Sequence, residues 1–329
     1  MHLRGIGYAF AASLLFGLGA ILAKVLAGAF DSSVIATLTL ALSGLLLAAL
    51  LAFSRMPLLS ALRAFTRRDW LDVLLLACPG TALPLLVIVA GFARTSALDG
   101  GLLQQLNGVA ALFFAVLLLA ERIHLKQGLG VALLLIGGAL IVITGASGAS
   151  GGDILGNLLI LVGTIGIGFA YIPAKRLAER IHPLPLTTIR LLLGAATIAP
   201  VAIVQVFAQG PALLWQPTLA NLGLVVIYAI TNFCLAFLAQ QAGLRLLKAW
   251  QMAAIGQTVP LFSTFFAILL LHESLTLLQG IGGLLAILGG IVVSLHEEAA
   301  PPAAEKALAA VQPAHEAEQA PLADETMLQ

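Results

Sequence analysis

Apolar residues fill ten stretches of the chain up to residue 295, and polar or charged residues fall mainly between them. Each stretch has about 20 residues, the length at which an α-helix crosses a hydrocarbon core of roughly 30 Å. The pattern predicts helices at 6–28, 33–53, 70–91, 96–119, 125–145, 154–174, 186–207, 219–239, 248–271 and 275–295. We therefore predict an all-α integral membrane protein with ten transmembrane helices.

Composition supports the membrane assignment and excludes several functions. The chain is 60% hydrophobic and 9% charged, with a mean hydropathy of +1.07. No Walker motif, nucleophile elbow or metal-ligand spacing occurs in the sequence. The sequence therefore gives no support for an enzyme, an ATP-driven pump, a nucleic-acid-binding protein, a cofactor or a metal site.

The sequence contains an internal duplication. Residues 113–143 resemble residues 265–295 at an offset of 152, and LAKVLA at 22–27 resembles PAKRLA at 173–178. The matches include Glu121 with Glu273 and several glycines, which a shared richness in leucine does not explain. We infer two repeats of five predicted helices.

Two breaks in composition divide the chain. The Gly/Ser-rich segment 146–153 separates the first repeat, residues 1–145, from the second, residues 154–295. Residues 296–329 contain seven carboxylates and one lysine without apolar periodicity. That composition predicts a disordered, solvated tail, which serves either a partner or solubility alone.

Basic residues predict the orientation, because short cytoplasmic loops carry the Lys/Arg excess. With the N-terminus inside, thirteen basic residues lie at cytoplasmic loops and helix ends, and only Lys24 and Arg94 lie outside. Since five is an odd number, the second repeat then crosses in the opposite direction. We predict inverted repeats in the cytoplasmic (inner) membrane, with both termini cytoplasmic.

The first helices of the two halves share a polar stripe. Ser13, Gly17, Ala20 and Lys24 correspond to Thr164, Gly168, Tyr171 and Lys175. Their spacing places each set on one helical face. The lysines either extend from helix ends to the lipid headgroups or serve function, and Tyr171 is a candidate substrate-binding residue.

The stretches at 96–119 and 248–271 form a second corresponding pair. Each has a face of small residues, which either packs closely against a neighbouring helix or lines a cavity. Gln104, Asn107 and Gln257 favour the cavity, because amides are costly against lipid. Pro260 removes an intrahelical hydrogen bond and is expected to kink its helix for gating.

Three further positions complete the candidate site. Tyr228 and Asn232 lie one turn apart and face either a substrate or a neighbouring helix. Asp99 either stabilises the N-terminus of its own helix or binds a cationic group or coupling proton. Glu121 and Glu273, at tight turns, are expected to interact with the N-terminus of the helix that follows each.

Several motifs resemble the drug/metabolite transporter superfamily of EamA type. They are GFARTSA at 91–97, AER at 120–122, QGLG at 127–130 with Gly137 and Gly138, and HES at 272–274 with QGIG at 279–282. The resemblance covers residues 5–295. Gly108 departs from it, because many members have proline there, so symmetric kinking of the fourth and ninth helices is not assured.

The resemblance implies a central cavity lined by the first, third, fourth, sixth, eighth and ninth helices, and export of small metabolites such as amino acids. Inverted repeats independently favour a secondary transporter with alternating access around a midplane site. The expected partners are a small-molecule substrate, the lipid bilayer and a coupling proton at Asp99. Uptake is the alternative direction, and a channel or scaffold is the alternative class.

Overall fold

Helices make up nearly all of the chain that the structure describes. The computed structural model describes residues 2–54, 65–119, 125–146, 153–178, 181–210, 218–246 and 255–295. The α-helices are α1 (His2–Ala27), α2 (Ser32–Phe53), α3 (Arg67–Ala77), α4 (Leu83–Phe92), α5 (Ala97–Leu103), α6 (Asn107–Leu119), α7 (Leu125–Ala146), α8 (Ile154–Ala178), α9 (Pro183–Gln209), α10 (Leu219–Tyr228), α11 (Ala236–Leu246), α12 (Val259–Leu271) and α13 (Leu277–Leu295). Each predicted apolar stretch contains described helix.

Several helices are long and apolar enough to cross a bilayer. Within the described residues, six spans meet both conditions by length and composition: Leu3–Ala27, Ser32–Phe53, Arg67–Phe92, Ile154–Ala174, Pro183–Ala208 and Leu219–Gly243. Three shorter apolar helices occur at Gly128–Ile141, Val259–Leu271 and Leu277–Val292. The protein is therefore an all-helical membrane protein.

Helices are interrupted at corresponding places in the two halves. A π-helical turn at Cys78–Ala82 joins α3 to α4, and another at Ala229–Leu235 joins α10 to α11. A 3-10 turn at Gln104–Leu106 joins α5 to α6, and the residues 152 positions later lie just before α12 begins at Val259. Both π-turns and both later breaks thus recur at an offset of 151 or 152.

The break in the first half bears on whether the fourth and ninth predicted helices are interrupted alike. It forms although Gly108 stands where the second half has Pro260. Pro260 lies in the first turn of α12, where its missing N–H leaves no helical hydrogen bond unmade. Proline therefore accompanies the second break without being required for the first.

Helix packing also repeats between the halves. Helix α1 packs against α11 and α12, while α8 packs against α4 and α6. Gly17 on α1 lies against Phe262, and Gly168 on α8 lies against Ala110, the residue 152 positions before Phe262. A Cβ on Gly17 would lie 2.6 Å from the Phe262 Cβ. Both glycines thus allow the close backbone approach that replaces a hydrophobic driving force in lipid.

Helices α7 and α13 cross through a matched set of glycines. A methyl group on Gly137 would collide with the carbonyl oxygen of Gly282, and one on Gly289 with the carbonyl oxygen of Gly130. Gly130 and Gly282 are 152 positions apart, as are Gly137 and Gly289. The repeated motif at 127–138 and 279–290 therefore forms the contact between its own two copies.

Candidate functional site

A basic side chain lies deep among the helices. Arg190 is seven residues into α9 from Pro183, which places it about 10 Å along the helix. Its Nε donates a hydrogen bond to the Thr81 hydroxyl at 2.5 Å, and its guanidinium carbon lies 4.6 Å from the centre of the Phe237 ring. These contacts bring together α9, the π-turn after α3, and α11.

The π-turn positions Thr81 to accept from Arg190. Its hydroxyl donates to the Leu76 carbonyl at 2.7 Å, so its lone pairs remain for the guanidinium. Pro79 within the turn and Pro84 after it carry no backbone N–H, which interrupts the regular hydrogen-bond ladder of the helix. The irregular backbone therefore presents a hydroxyl acceptor toward the inside of the bundle.

Aromatic rings extend from Phe237 to one of the predicted site residues. Phe237 packs edge-on against Phe16 of α1, with ring centres 5.6 Å apart, and contacts Phe233 at 5.9 Å. Phe233 in turn packs edge-on against Tyr228 at 5.4 Å. Tyr228 is buried, so this predicted residue belongs to the aromatic layer beside Arg190.

Tyr171 on α8 also lies at this site. It is 47% exposed and close enough to interact electrostatically with Arg190. Sequence reasoning predicted Tyr171 and Tyr228 as binding residues on different helices. In the structure Tyr171 lies near Arg190, and Tyr228 is linked to Phe237 through Phe233. Arg190, Thr81, Phe237, Tyr171 and Tyr228 are called the Arg190 cluster below.

The electrostatics of the Arg190 cluster are unbalanced. Removing a charge from water costs several kcal/mol unless it is paired. A desolvated cation–π contact returns only about 2 kcal/mol, and a hydrogen bond to a charged group about 1.5–3 kcal/mol. Among the described residues, Arg190 forms no salt bridge. The cluster thus retains a net positive charge.

Other predicted residues lie elsewhere in the bundle. The Asn232 side chain lies against Gly19 of α1, and the Gln257 side chain lies against Gly290 of α13, with its Oε1 unpaired within the described structure. Gln104 donates from Nε2 to the Gly100 carbonyl at 3.3 Å. Asn107 is partly exposed at the start of α6. These amides stay separate from the Arg190 cluster, and their role in binding remains a prediction.

Asp99 and Glu273 form the contacts at one end of the bundle, where α12 finishes and α5 and α13 begin. Glu273 accepts the backbone N–H groups of Ala97 and Leu98, each at 2.9 Å. Asp99 is fully buried and accepts a hydrogen bond from Gln279 Nε2 at 2.8 Å. The second half therefore binds the start of α5 through two side chains. We call these contacts the Glu273 junction.

The partner of Glu273 corrects the sequence prediction. The carboxylate stabilises the N-terminus of α5, in the other half of the chain, rather than that of α13, the helix that follows it. The start of α13 is capped instead by Thr276, whose hydroxyl accepts the Gln279 N–H. Lys24 lies near Glu273 and donates to the Phe92 carbonyl at 2.9 Å. Glu121 lies outside the described residues.

Two ion pairs form between residues that are not members of the Arg190 cluster. Arg176 on α8 pairs with the buried Asp72 on α3 at 3.3 Å. Arg94 pairs with Asp153 at 2.8 Å near the start of α8. The hydrogen bond from Arg94, followed by one from the Gly156 N–H, lowers the pKa of Asp153 below its usual value. The Arg176–Asp72 pair joins the two halves, and the Arg94–Asp153 pair joins the first half to the segment between them.

Sequence reasoning missed Arg190 because it was grouped with the basic residues at cytoplasmic helix ends. The signal was present, since Arg190 lies four residues inside the apolar stretch predicted at 186–207. The described α9 begins three residues before that stretch and takes Arg190 deeper. An arginine inside a membrane helix is a functional candidate by default.

The described fold is that of a membrane protein with several helices long enough to cross a bilayer and a basic side chain among them. The model of the EamA-like transporter family matches residues 3–143 and again residues 154–295. The chain belongs to the EamA-like transporter family, within the drug/metabolite transporter superfamily. Members of this family are transporters rather than enzymes.

Curated relatives and a solved structure agree with this family. The chain is 25% identical to the uncharacterized transporter YetK of Bacillus subtilis (strain 168), over 73% of each chain. It is 21% identical to an uncharacterized transporter of Methanothermobacter thermautotrophicus, over 68% of this chain and 64% of that one. The chain also aligns with a solved crystal structure that is 20% identical in sequence. The alignment covers 90% of this chain and 98% of the other with a TM-score of 0.62, which shows a shared fold.

Proposed function

We propose that this protein is a secondary transporter that exports a small metabolite, an amino acid or related compound, across the cytoplasmic membrane by alternating access. The paired contacts of Gly17 with Phe262 and of Gly168 with Ala110 carry the proposal. Each first helix of a half packs against the broken helix of the other half. Such exchanged packing suits two units that rock around a shared site.

The proposed topology has ten transmembrane helices in two inverted five-helix repeats, with both termini in the cytoplasm. Support comes from the two separate family matches, the recurring helix breaks, and the excess of basic residues in alternate loops. In this orientation the Glu273 junction lies at the outer face. The Arg190 cluster then lies nearer the cytoplasmic face than the outer one.

Alternating access requires contacts between the halves to break and re-form. The Glu273 junction is such a contact, since Glu273 and Gln279 of the second half hold the start of α5 in the first. Asp99 within the junction is the proposed site of a coupling proton. Replacing Asp99 with Asn, which keeps an oxygen acceptor for Gln279, therefore separates proton coupling from packing.

Metabolite profiling and counterflow test the proposal. Cells that overproduce the protein should release particular metabolites faster than cells that lack it. Purified protein in liposomes should then exchange those metabolites with saturation and competition. A single-channel conductance would show a channel instead of a carrier. Accumulation of the metabolite inside the cells would show uptake instead of export. An unchanged pH dependence in the Asp99→Asn variant would remove the proton role.

A further inference from the structure

The Arg190 cluster has a charge that its own described residues do not neutralise. Arg190 lies two turns inside α9, and among the described residues its polar partner is the neutral Thr81 hydroxyl. The helix that occupies the matching place in the first half, α2, has no charged residue at all. The positive charge therefore occurs on α9 and has no counterpart on α2, although the helix arrangement repeats between the halves.

The guanidinium also has unused hydrogen-bond donors. It carries five N–H groups, of which the Nε–H is taken by Thr81. Neither Nη group has a hydrogen-bond partner within the part of the chain that the structure describes. Arg190 as a whole is partly exposed. Four donors in one plane are thus left for a ligand.

The surroundings of these donors fix how a ligand approaches. Phe237 covers one face of the guanidinium, and Thr81 holds its Nε edge. The Nη edge is what remains, and a planar fork of this kind matches the two oxygens of a carboxylate. Tyr171 lies within electrostatic reach of the same group, and Phe16 extends the apolar wall.

We propose that Arg190 binds the carboxylate of the transported molecule through its two Nη groups, so that the substrates are small organic acids. This inference rests on the transporter function proposed above and narrows it to a substrate class. A carboxylate carries one negative charge, which balances the single positive charge of the cluster. A phosphate ester carries nearly two, and the described residues of the cluster include no second cation.

A purely structural arginine is the rival interpretation. It would join the π-turn to α11 through Thr81 and Phe237 and would bind no solute. The two readings differ in their response to added anions. A structural arginine predicts no stabilisation by a carboxylate beyond that by the matching amide.

Thermal unfolding of the purified full-length protein in detergent, at neutral pH and constant ionic strength, separates these readings. The probes are sodium benzoate, benzamide and inorganic phosphate, each at about 20 mM. Benzoate should raise the Tm by about 2 °C or more, and benzamide and phosphate should not. Equal effects of benzoate and benzamide on the wild-type protein would overturn the proposal. A larger effect of phosphate would overturn the carboxylate class.

Variants then locate the effect. Arg190→Gln should abolish the stabilisation by benzoate, and Arg190→Lys should reduce it because the charge remains without the fork. Arg176→Gln is the matched control, since it removes the same charge from a pair with Asp72 that includes no residue of the cluster, and it should respond like the wild-type protein. Full stabilisation of Arg190→Gln would overturn the proposal. If Arg190→Gln does not fold, the Lys variant and the wild-type comparison decide.

Profiling of the metabolites that cells release tests the role of Arg190 in transport. Metabolites released by cells with the wild-type protein should be carboxylic acids, and their release should fall at least tenfold with Arg190→Gln but not with Arg176→Gln. Release of solutes without a carboxylate, or full release by Arg190→Gln, would overturn this inference while the transporter function stands. If no solute differs from the empty vector, the transporter function fails, and the benzoate result alone decides whether Arg190 binds carboxylates.

Discussion

Replacing Glu273 with alanine removes the acceptor of two backbone N–H groups at the start of α5. The carboxylate holds Ala97 and Leu98 at 2.9 Å each, and it is only partly exposed. Hydrogen bonds to a charged group contribute about 1.5–3 kcal/mol each, so two of them set an upper range of about 3–6 kcal/mol. Because water can reach part of this site, we expect Glu273→Ala to lower the free energy of unfolding by about 2–4 kcal/mol.

Replacing Glu273 with glutamine should lower the free energy of unfolding by less than replacing it with alanine. Its single carbonyl oxygen can accept from one N–H group, while its amide N–H₂ faces the other donor. The interaction of the charge with the helix N-terminus, about 0.3–1 kcal/mol, is also lost. We therefore expect a loss of about 1–2 kcal/mol for Glu273→Gln, between the wild-type protein and the alanine variant.

Thermal unfolding of the purified protein measures this order. A loss of 1 kcal/mol lowers the Tm by about 2–4 °C in domains of about 150–250 residues, so Glu273→Ala should lower the Tm by about 4–16 °C and Glu273→Gln by about half of that. Ser96→Ala is a control at the start of the same helix, since among the described residues the Ser96 hydroxyl accepts one backbone N–H, that of Asp99. Its loss should lower the free energy of unfolding by about 1 kcal/mol. A Tm for Glu273→Ala within 1 °C of the wild-type value would refute the reasoning.

Three further predictions follow from packing, pH and backbone. Gly137→Ala should destabilise the protein by about 1–3 kcal/mol, because the added methyl group would collide with a carbonyl oxygen of α13. Gly128→Ala is the control, since its methyl group enters open space and should be neutral or stabilising. Thermal unfolding of the two variants measures the difference. Since the pKa of Asp153 beside Arg94 is lowered when folded, its stabilisation is present above about pH 3.8 and is lost below the folded pKa, so the Tm difference from Asp153→Asn should vanish at low pH. Pro260→Ala should leave the Tm nearly unchanged yet lower kcat in counterflow without changing KM, and an unchanged kcat would exclude a gating role.

Hydrophobic pattern alone located the helices well. Most predicted stretches start and end within about five residues of the described helices, because length and apolarity are nearly sufficient to define a helix in lipid. The stretch at 219–239 ends seven residues before α11 does, and the start predicted at 248 lies outside the described residues. The π-turn at Ala229–Leu235 and the 3-10 turn at Gln104–Leu106 had no proline to announce them. They depend on packing between helices that are distant in sequence, which local patterns do not encode.

The site was harder to predict for the same reason. Glu273 was assigned to its neighbour in sequence, yet its partners are 176 and 175 residues away. Arg190 was included among the basic residues that predict orientation, and its position inside an apolar stretch was not considered. Tyr171 and Tyr228 were singled out as polar groups in apolar helices, and their role in binding stays a prediction. Only the fold shows that Tyr171 lies near Arg190 and that Tyr228 is linked to Phe237 through Phe233.

Positions that match between the two halves and positions that differ have different expected roles in this protein. The paired glycine contacts of α1 with α12 and of α8 with α6 need small residues in both halves, so the repeat preserves them. The proposed substrate site is under no such constraint. Ala20 in the first half corresponds to Tyr171 in the second, and the uncharged α2 corresponds to the helix that carries Arg190. Substitutions that exchange chemistry between matching positions should therefore change what is transported, while substitutions at the paired glycines should change whether the protein folds.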